Sequence, residues 1–175
     1  MLGNGLSAAV TMAKLRQAMQ SAALVVPDAG TMLDVADRTV RAQSADTYAT
    51  ALAGIFDPAA AQFTFASAGH PGPALRHPDG TIEEFVSYGT MLGLGTGGER
   101  DLVTIAVPAG TVLAFFTDGL VEATRDADEG LRRLHRALAE PAVTGADNPA
   151  RALVEHVLDR HPATDDIAVL VAAFG

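Results

Sequence analysis

Residues 112–119 read VLAFFTDG, and residues 164–174 read TDDIAVLVAAF. Each joins acidic residues to a run that is apolar at both parities, the pattern of a strand covered on both faces. A strand like Val112–Phe116 belongs in the middle of a sandwich. Asp118 then emerges just past its end, before a glycine that lets backbone approach a ligand closely, while Asp165 and Asp166 stand just before the last strand. Carboxylates at the ends of adjacent central strands converge, and like charges held close are costly unless a cation neutralises them. Hard divalent ions such as Mg²⁺ or Mn²⁺ suit an oxygen-only surrounding. Asp-Gly is also a common turn pair and Asp a common strand terminator, so the residue types alone leave both readings open.

Upstream of this pair, Ala8, Met12, Leu15, Met19 and Ala22 recur at spacings of three and four, predicting a helix over 7–24 with one apolar stripe. Pro27 and Gly30 break it, and Met32, Val35, Ala36 and Val40 mark a second helix over 31–43. The period then changes. TYATALAGIFDP and AQFTFASAGH read as a hairpin around Asp57-Pro58, and PALRHPDGTIEEF as a second one closed by Pro78-Asp79-Gly80, so a meander is expected. Residues 87–100, SYGTMLGLGTGGER, hold five of the 17 glycines and read as a loop. LVTIAVPAGTVLAFF gives two strands around Pro108-Ala109-Gly110, and helices are expected over 129–138 and 149–158. Strands and helices in this order give an α+β layered fold.

The chain has 175 residues, 49% of them hydrophobic, which suits a single domain over 1–175. Its formal charge of −9 argues against nucleic acid and anionic membranes as partners. Without cysteine it has no disulfide framework, thiolate metal site or cysteine nucleophile. No apolar run is long enough to span a bilayer and the start lacks a secretory signal, so a cytoplasmic location is expected. The five histidines, His70, His77, His135, His156 and His161, show no metal-binding spacing, and His70 in AGHPGP reads as a turn-shaping residue. GLGTGG is followed by neither Lys-Ser/Thr nor a helix, so it is not a phosphate loop, and no organic cofactor is expected.

Five blocks in order, GNGLSAAVTMAKLR, FASAGHPGPALRHPDG, GTMLGLG, VPAGTVLAFFTDGLVEA and ATDDIAVLV, together resemble the metal-dependent PPM-type serine/threonine phosphatases in their bacterial SpoIIE-like branch. The resemblance spans nearly the whole chain. It implies an antiparallel β-sandwich flanked by helices (α/β/β/α), with Mn²⁺ or Mg²⁺, two ions in the complete domain, at one end. It makes Asp118 and Asp165 metal ligands and catalytic residues, and puts Gly119, Glu122 and Asp166 behind them. The reaction implied is hydrolysis of phosphoserine or phosphothreonine by a metal-activated water, on a STAS-type anti-anti-sigma regulator, with a homodimer as a further expectation. A protein-binding remnant of the same fold without turnover is the alternative.

The family's first metal motif, G-D-V-x-G-x-G, places its later glycines on Gly3 and Gly5 and its valine on Met1, whose backbone carbonyl becomes a further metal ligand. The motif's aspartate would fall directly before Met1, so the domain is expected to be incomplete at its N-terminus, without its first strands. A start assigned too late accounts for this best, since a cut inside the motif leaves sheet edges unpaired. The polypeptide as written is then expected to bind metal weakly and turn over slowly.

Overall fold

The computed structural model describes residues 5–43, 47–95, 100–163 and 165–175. They form two compact units, one from residues 1–70 with 86–106 and the other from 71–85 with 107–175. Helices combine with purely antiparallel sheets, the α+β class expected. Among the described residues no helix is long and apolar enough to cross a membrane.

The first unit opens with helices α1 (Gly5–Val25) and α2 (Ala29–Gln43). The expected break at Pro27 is there, but Gly30 lies inside α2. Asp28 accounts for this: its Oδ1 accepts the Thr31 N–H at 2.7 Å and satisfies a donor of the first turn. The buried stripes keep Leu15, Ala22, Ala36 and Val40 of those expected and depart from them at Met12. Thr11, Leu15 and Ala22 are buried on α1 while Met12 is 61% exposed, and on α2 the centre is Leu33, Ala36 and Val40. Strands β1 (Ala51–Asp57) and β2 (Gln62–Ala68) form the expected hairpin, whose turn is fixed by Asp57 Oδ1 accepting the Ala59 and Ala60 N–H groups. The helix-facing positions Ala53, Ala66 and Ala68 are small, so Leu33, Ala36 and Val40 pack close to the sheet. Asp37 is buried among them with both oxygens used. Oδ1 accepts the Gly93 N–H at 2.8 Å and Oδ2 the Arg41 Nε–H at 2.9 Å.

In the second unit β3 (Ala74–Arg76) and β4 (Ile82–Glu84) form the other expected hairpin. Asp79 Oδ1 accepts the Thr81 N–H at 2.9 Å and its hydroxyl at 2.7 Å, which holds the Asp79 carboxyl below its ordinary range. The two hairpins belong to different sheets, so the expected meander does not form. Strand β5 (Val103–Ala106) pairs with β2 to complete the sheet β1-β2-β5. Strand β6 (Val112–Phe116) joins the other sheet, β4-β3-β6-β7, where β7 is Val169–Ala173. The Pro-Ala-Gly turn therefore switches sheets. Gly110 donates to the Phe174 carbonyl at 2.7 Å and Phe174 to the Thr111 carbonyl at 2.9 Å, so the start of β6 is paired with the chain's end. β6 lies between β3 and β7, the central position its two apolar faces predict. β7 does not match the buried strand expected. It pairs only with β6 among the described residues, its positions are half-buried or exposed, and Leu170 is 62% exposed.

Four helices complete this unit: α3 (Asp118–Glu122), α4 (Ala127–Ala139), α5 (Pro141–Thr144) and α6 (Pro149–Leu158). Asp126 caps α4 through the Glu129 N–H, and Asn148 caps α6 through the Arg151 N–H with Pro149 in the first turn. Leu134, Ala137, Leu138, Leu153 and Val157 bury against Val112, Ala114 and Phe116 of β6, which anchors the strand whose end carries the acidic residues.

Candidate functional site

The end of β6 and the start of β7 are paired residue on residue, Phe116 against Val169. Backbone bonding continues past the last pair, because the Thr117 N–H donates to the Ala168 carbonyl at 3.0 Å. Thr117 also uses its hydroxyl in both directions. Oγ1 accepts the Ala168 N–H at 3.0 Å and donates to the Asp166 carbonyl at 3.4 Å. This residue, which the sequence reading passed over, fastens the turn carrying Asp118 to the segment carrying Asp165 and Asp166. The signal available was its place between a buried strand and Asp-Gly.

Asp118, just past the end of β6 as expected, is the first residue of α3, and its Oδ1 accepts the Gly119 N–H at 3.1 Å. Gly119 is buried directly beneath the facing segment. A Cβ built on it would stand 2.5 Å from the Asp166 carbonyl oxygen and 3.5 Å from Asp165 Cβ. The glycine is therefore a spacer that lets two acidic turns touch. Asp165 Oδ1 accepts the Asp166 N–H at 2.8 Å. Asp118, Asp165 and Asp166 are all exposed. Asp118 and Asp165 thus sit on adjoining turns, each with one oxygen tied locally and the other without a protein partner among the described residues.

Glu122 lies four residues after Asp118 on α3, on the same helical face, and is exposed. Asp166 acts here through its backbone, on Thr117 and Asp165. Met1 lies outside the described residues. His70 sits in the first unit as the turn-shaping residue expected: its N–H donates to Ser67 Oγ at 2.9 Å, its carbonyl accepts from the same hydroxyl at 2.7 Å, and Gly69 beside it has φ 71°.

The family described as Stage II sporulation protein E (SpoIIE) matches residues 1–175. The chain belongs to the SpoIIE family. Solved structures with the same fold include the RsbU and RsbW domains of a Mycobacterium tuberculosis protein, with a TM-score of 0.82 and 23% identity over 97% of this chain and 48% of that one. Another is the PP2C phosphatase domain of SpoIIE from Bacillus subtilis with a fragment of its regulatory domain, with a TM-score of 0.81 and 18% identity over 97% of this chain and 51% of that one. The SiaA-PP2C domain of Pseudomonas aeruginosa gives a TM-score of 0.73 and 22% identity over 99% and 73%. This SpoIIE-family chain spans about half the length of the first of these.

The side chains of Asp118 and Asp165 fit the metal such a fold implies. Two exposed carboxylates with free oxygens make a hard donor pair, which is how Mg²⁺ is commonly held, through one or two carboxylates with water filling the other positions. Among the described residues no group of three His, Cys, Asp or Glu converges.

Proposed function

We propose that this SpoIIE-family chain is a metal-dependent phosphoprotein phosphatase in which Asp118 and Asp165 hold Mn²⁺ or Mg²⁺. The observation that supports it most is the seating of Gly119 against Asp165 and Asp166, which makes two exposed carboxylates neighbours with Thr117 bonding across the seam. A bound divalent ion supplies an acidified water as nucleophile and offsets charge on the phosphoryl oxygens. The chain's own residues supply position. Asp118 and Asp165 each present a free oxygen, Gly119 keeps their backbones in contact, and Thr117 fixes the spacing. Glu122, on the face of α3 shared with Asp118, orients water beside the pair.

The substrate we assign is a phosphoserine or phosphothreonine on a STAS-type anti-anti-sigma regulator. Support comes from the matched structures, one holding RsbU and RsbW domains and another described under the bacterial stressosome. The test is phosphate release from a phosphorylated STAS protein with and without Mn²⁺. Metal-dependent release that disappears in Asp118→Asn and Asp165→Asn supports the reading, and full release by both variants overturns it. A second reading, a protein-binding domain without turnover, draws on the absence of a third converging ligand among the described residues. It predicts that the chain captures the STAS protein and releases no phosphate at any metal concentration.

A further inference from the structure

Residues 159–163, which lead towards Asp165, lie outside helix and strand. α6 stops at Leu158, Asp159 has φ 51°, and β7 starts only at Val169. The stretch between them is fastened at its downstream end by Thr117. Upstream, Arg133 reaches it from α4: its Nη1 lies 3.3 Å from His161 Nδ1. A guanidinium only donates, so the ring nitrogen accepts from it in the tautomer protonated on Nε2. The Leu158 carbonyl takes the His161 backbone N–H at 2.7 Å and also lies 3.1 Å from the same ring nitrogen.

Arg133 is itself held. Its side chain is 22% exposed and its Nε donates to Glu129 Oε1 at 3.0 Å. Glu129 also takes Arg132 at 3.1 Å and Arg136 at 3.2 Å, and it stands in the first turn of α4, where its charge suits the helix dipole. Hydrogen bonds from Arg133 and then Arg132 hold the Glu129 carboxyl below its ordinary range, so the anchor stays ionised at neutral pH.

We propose that Glu129, Arg133 and His161 form a positioning strut that runs from α4 to the approach of Asp165 and sets how firmly that carboxylate is presented. The proposal rests on reading Asp165 as a metal ligand. His161 and Arg133 touch neither ion nor substrate. They remove freedom from residues 159–163, so that Asp165 does not have to be ordered when the ion binds.

The experiment compares the 175-residue chain with Arg133→Met, His161→Leu and His161→Asn, the last of which keeps an amide oxygen near the position of Nδ1. Hydrogen exchange of peptides over 159–168 and Mn²⁺ binding by electron paramagnetic resonance are both read. Arg133→Met and His161→Leu are expected to exchange faster over 159–168 with β6 unchanged, and to bind Mn²⁺ about tenfold more weakly, the order of the entropy cost of fixing one more backbone residue on binding. His161→Asn is expected to behave as wild type. Unchanged exchange in His161→Leu, a loss spread equally over β6, unchanged Mn²⁺ affinity despite faster exchange, or an Asn variant as impaired as Leu each overturns the strut. A wild-type chain that takes up no Mn²⁺ defeats the metal reading instead, and the exchange comparison then decides the strut alone.

Discussion

Replacing Gly119 by alanine tests the seam between the two acidic turns with a single methyl group. The new Cβ would stand 2.5 Å from the Asp166 carbonyl oxygen, about 0.8 Å short of the roughly 3.3 Å at which carbon and carbonyl oxygen normally meet. The obstacle is backbone, so no side chain can swing away. Either α3 or the 165–166 segment must move, and Thr117, bonded to both Asp166 and Ala168, resists the separation. Overpacking of this kind costs about 1–3 kcal/mol of stability. A displacement approaching 1 Å at positioned groups costs on the order of a hundredfold in rate. Thermal unfolding together with Mn²⁺-dependent phosphate release therefore separates two effects. Gly72→Ala is the control, because its Cβ would meet the Phe85 carbonyl at 1.8 Å in the same unit without touching either acidic turn. Gly119→Ala is expected to lose far more metal-dependent rate than Gly72→Ala at comparable loss of Tm. If the two lose rate in proportion to stability, or if Gly119→Ala keeps full rate, the spacer argument is wrong.

Thr117→Val removes the acceptor for the Ala168 N–H at nearly constant volume, and should cost about 1 kcal/mol in denaturant unfolding with a weaker Mn²⁺ affinity. Gly93→Ala places a Cβ 2.1 Å from the Thr47 carbonyl at φ 93°, a combination of overpacking and left-handed backbone expected to cost about 3 kcal/mol or more by chemical denaturation. Asp37→Ala leaves the Gly93 N–H without its acceptor and is expected to lose about 1–3 kcal/mol in the same assay. Glu129, whose folded carboxyl titrates below its ordinary 4.5, contributes stability above that pH and loses it as the pH falls through the folded value. Glu129→Gln should accordingly show a shallower drop in Tm between about pH 5 and 3 than wild type.

Much of the fold was legible because its signals are local. Pro78-Asp79-Gly80 and Asp57-Pro58 close hairpins through side chains within three residues of the bonds they make. The two-faced apolarity of Val112–Phe116 placed β6 centrally. Pairing was less legible, because it is decided at long range. Nothing near Pro108-Ala109-Gly110 reveals that Phe174 will take the hydrogen bonds a β5–β6 hairpin would need. The first helix's stripe was misjudged at Met12 for a related reason. Met12 and Leu15 are equally apolar, and only the packing partner decides that Thr11 and Leu15 face inward. At the candidate site, the acidic residues announced themselves by type and position. Thr117 did not, since its role lies in a contact across 49 residues of sequence, and Gly119 was read as allowing approach to a ligand rather than to the Asp166 backbone. The Arg133 to His161 bond spans 28 residues and left no trace in any motif.

The central claim is that Asp118 and Asp165 hold one ion together. Mn²⁺ titration of wild type, Asp118→Asn, Asp165→Asn and the double variant tests it without requiring turnover. Either single replacement should remove most of the affinity, and the double should lose little more, because the two carboxylates act on the same ion. Single variants that bind as wild type, or losses that simply add, would contradict it.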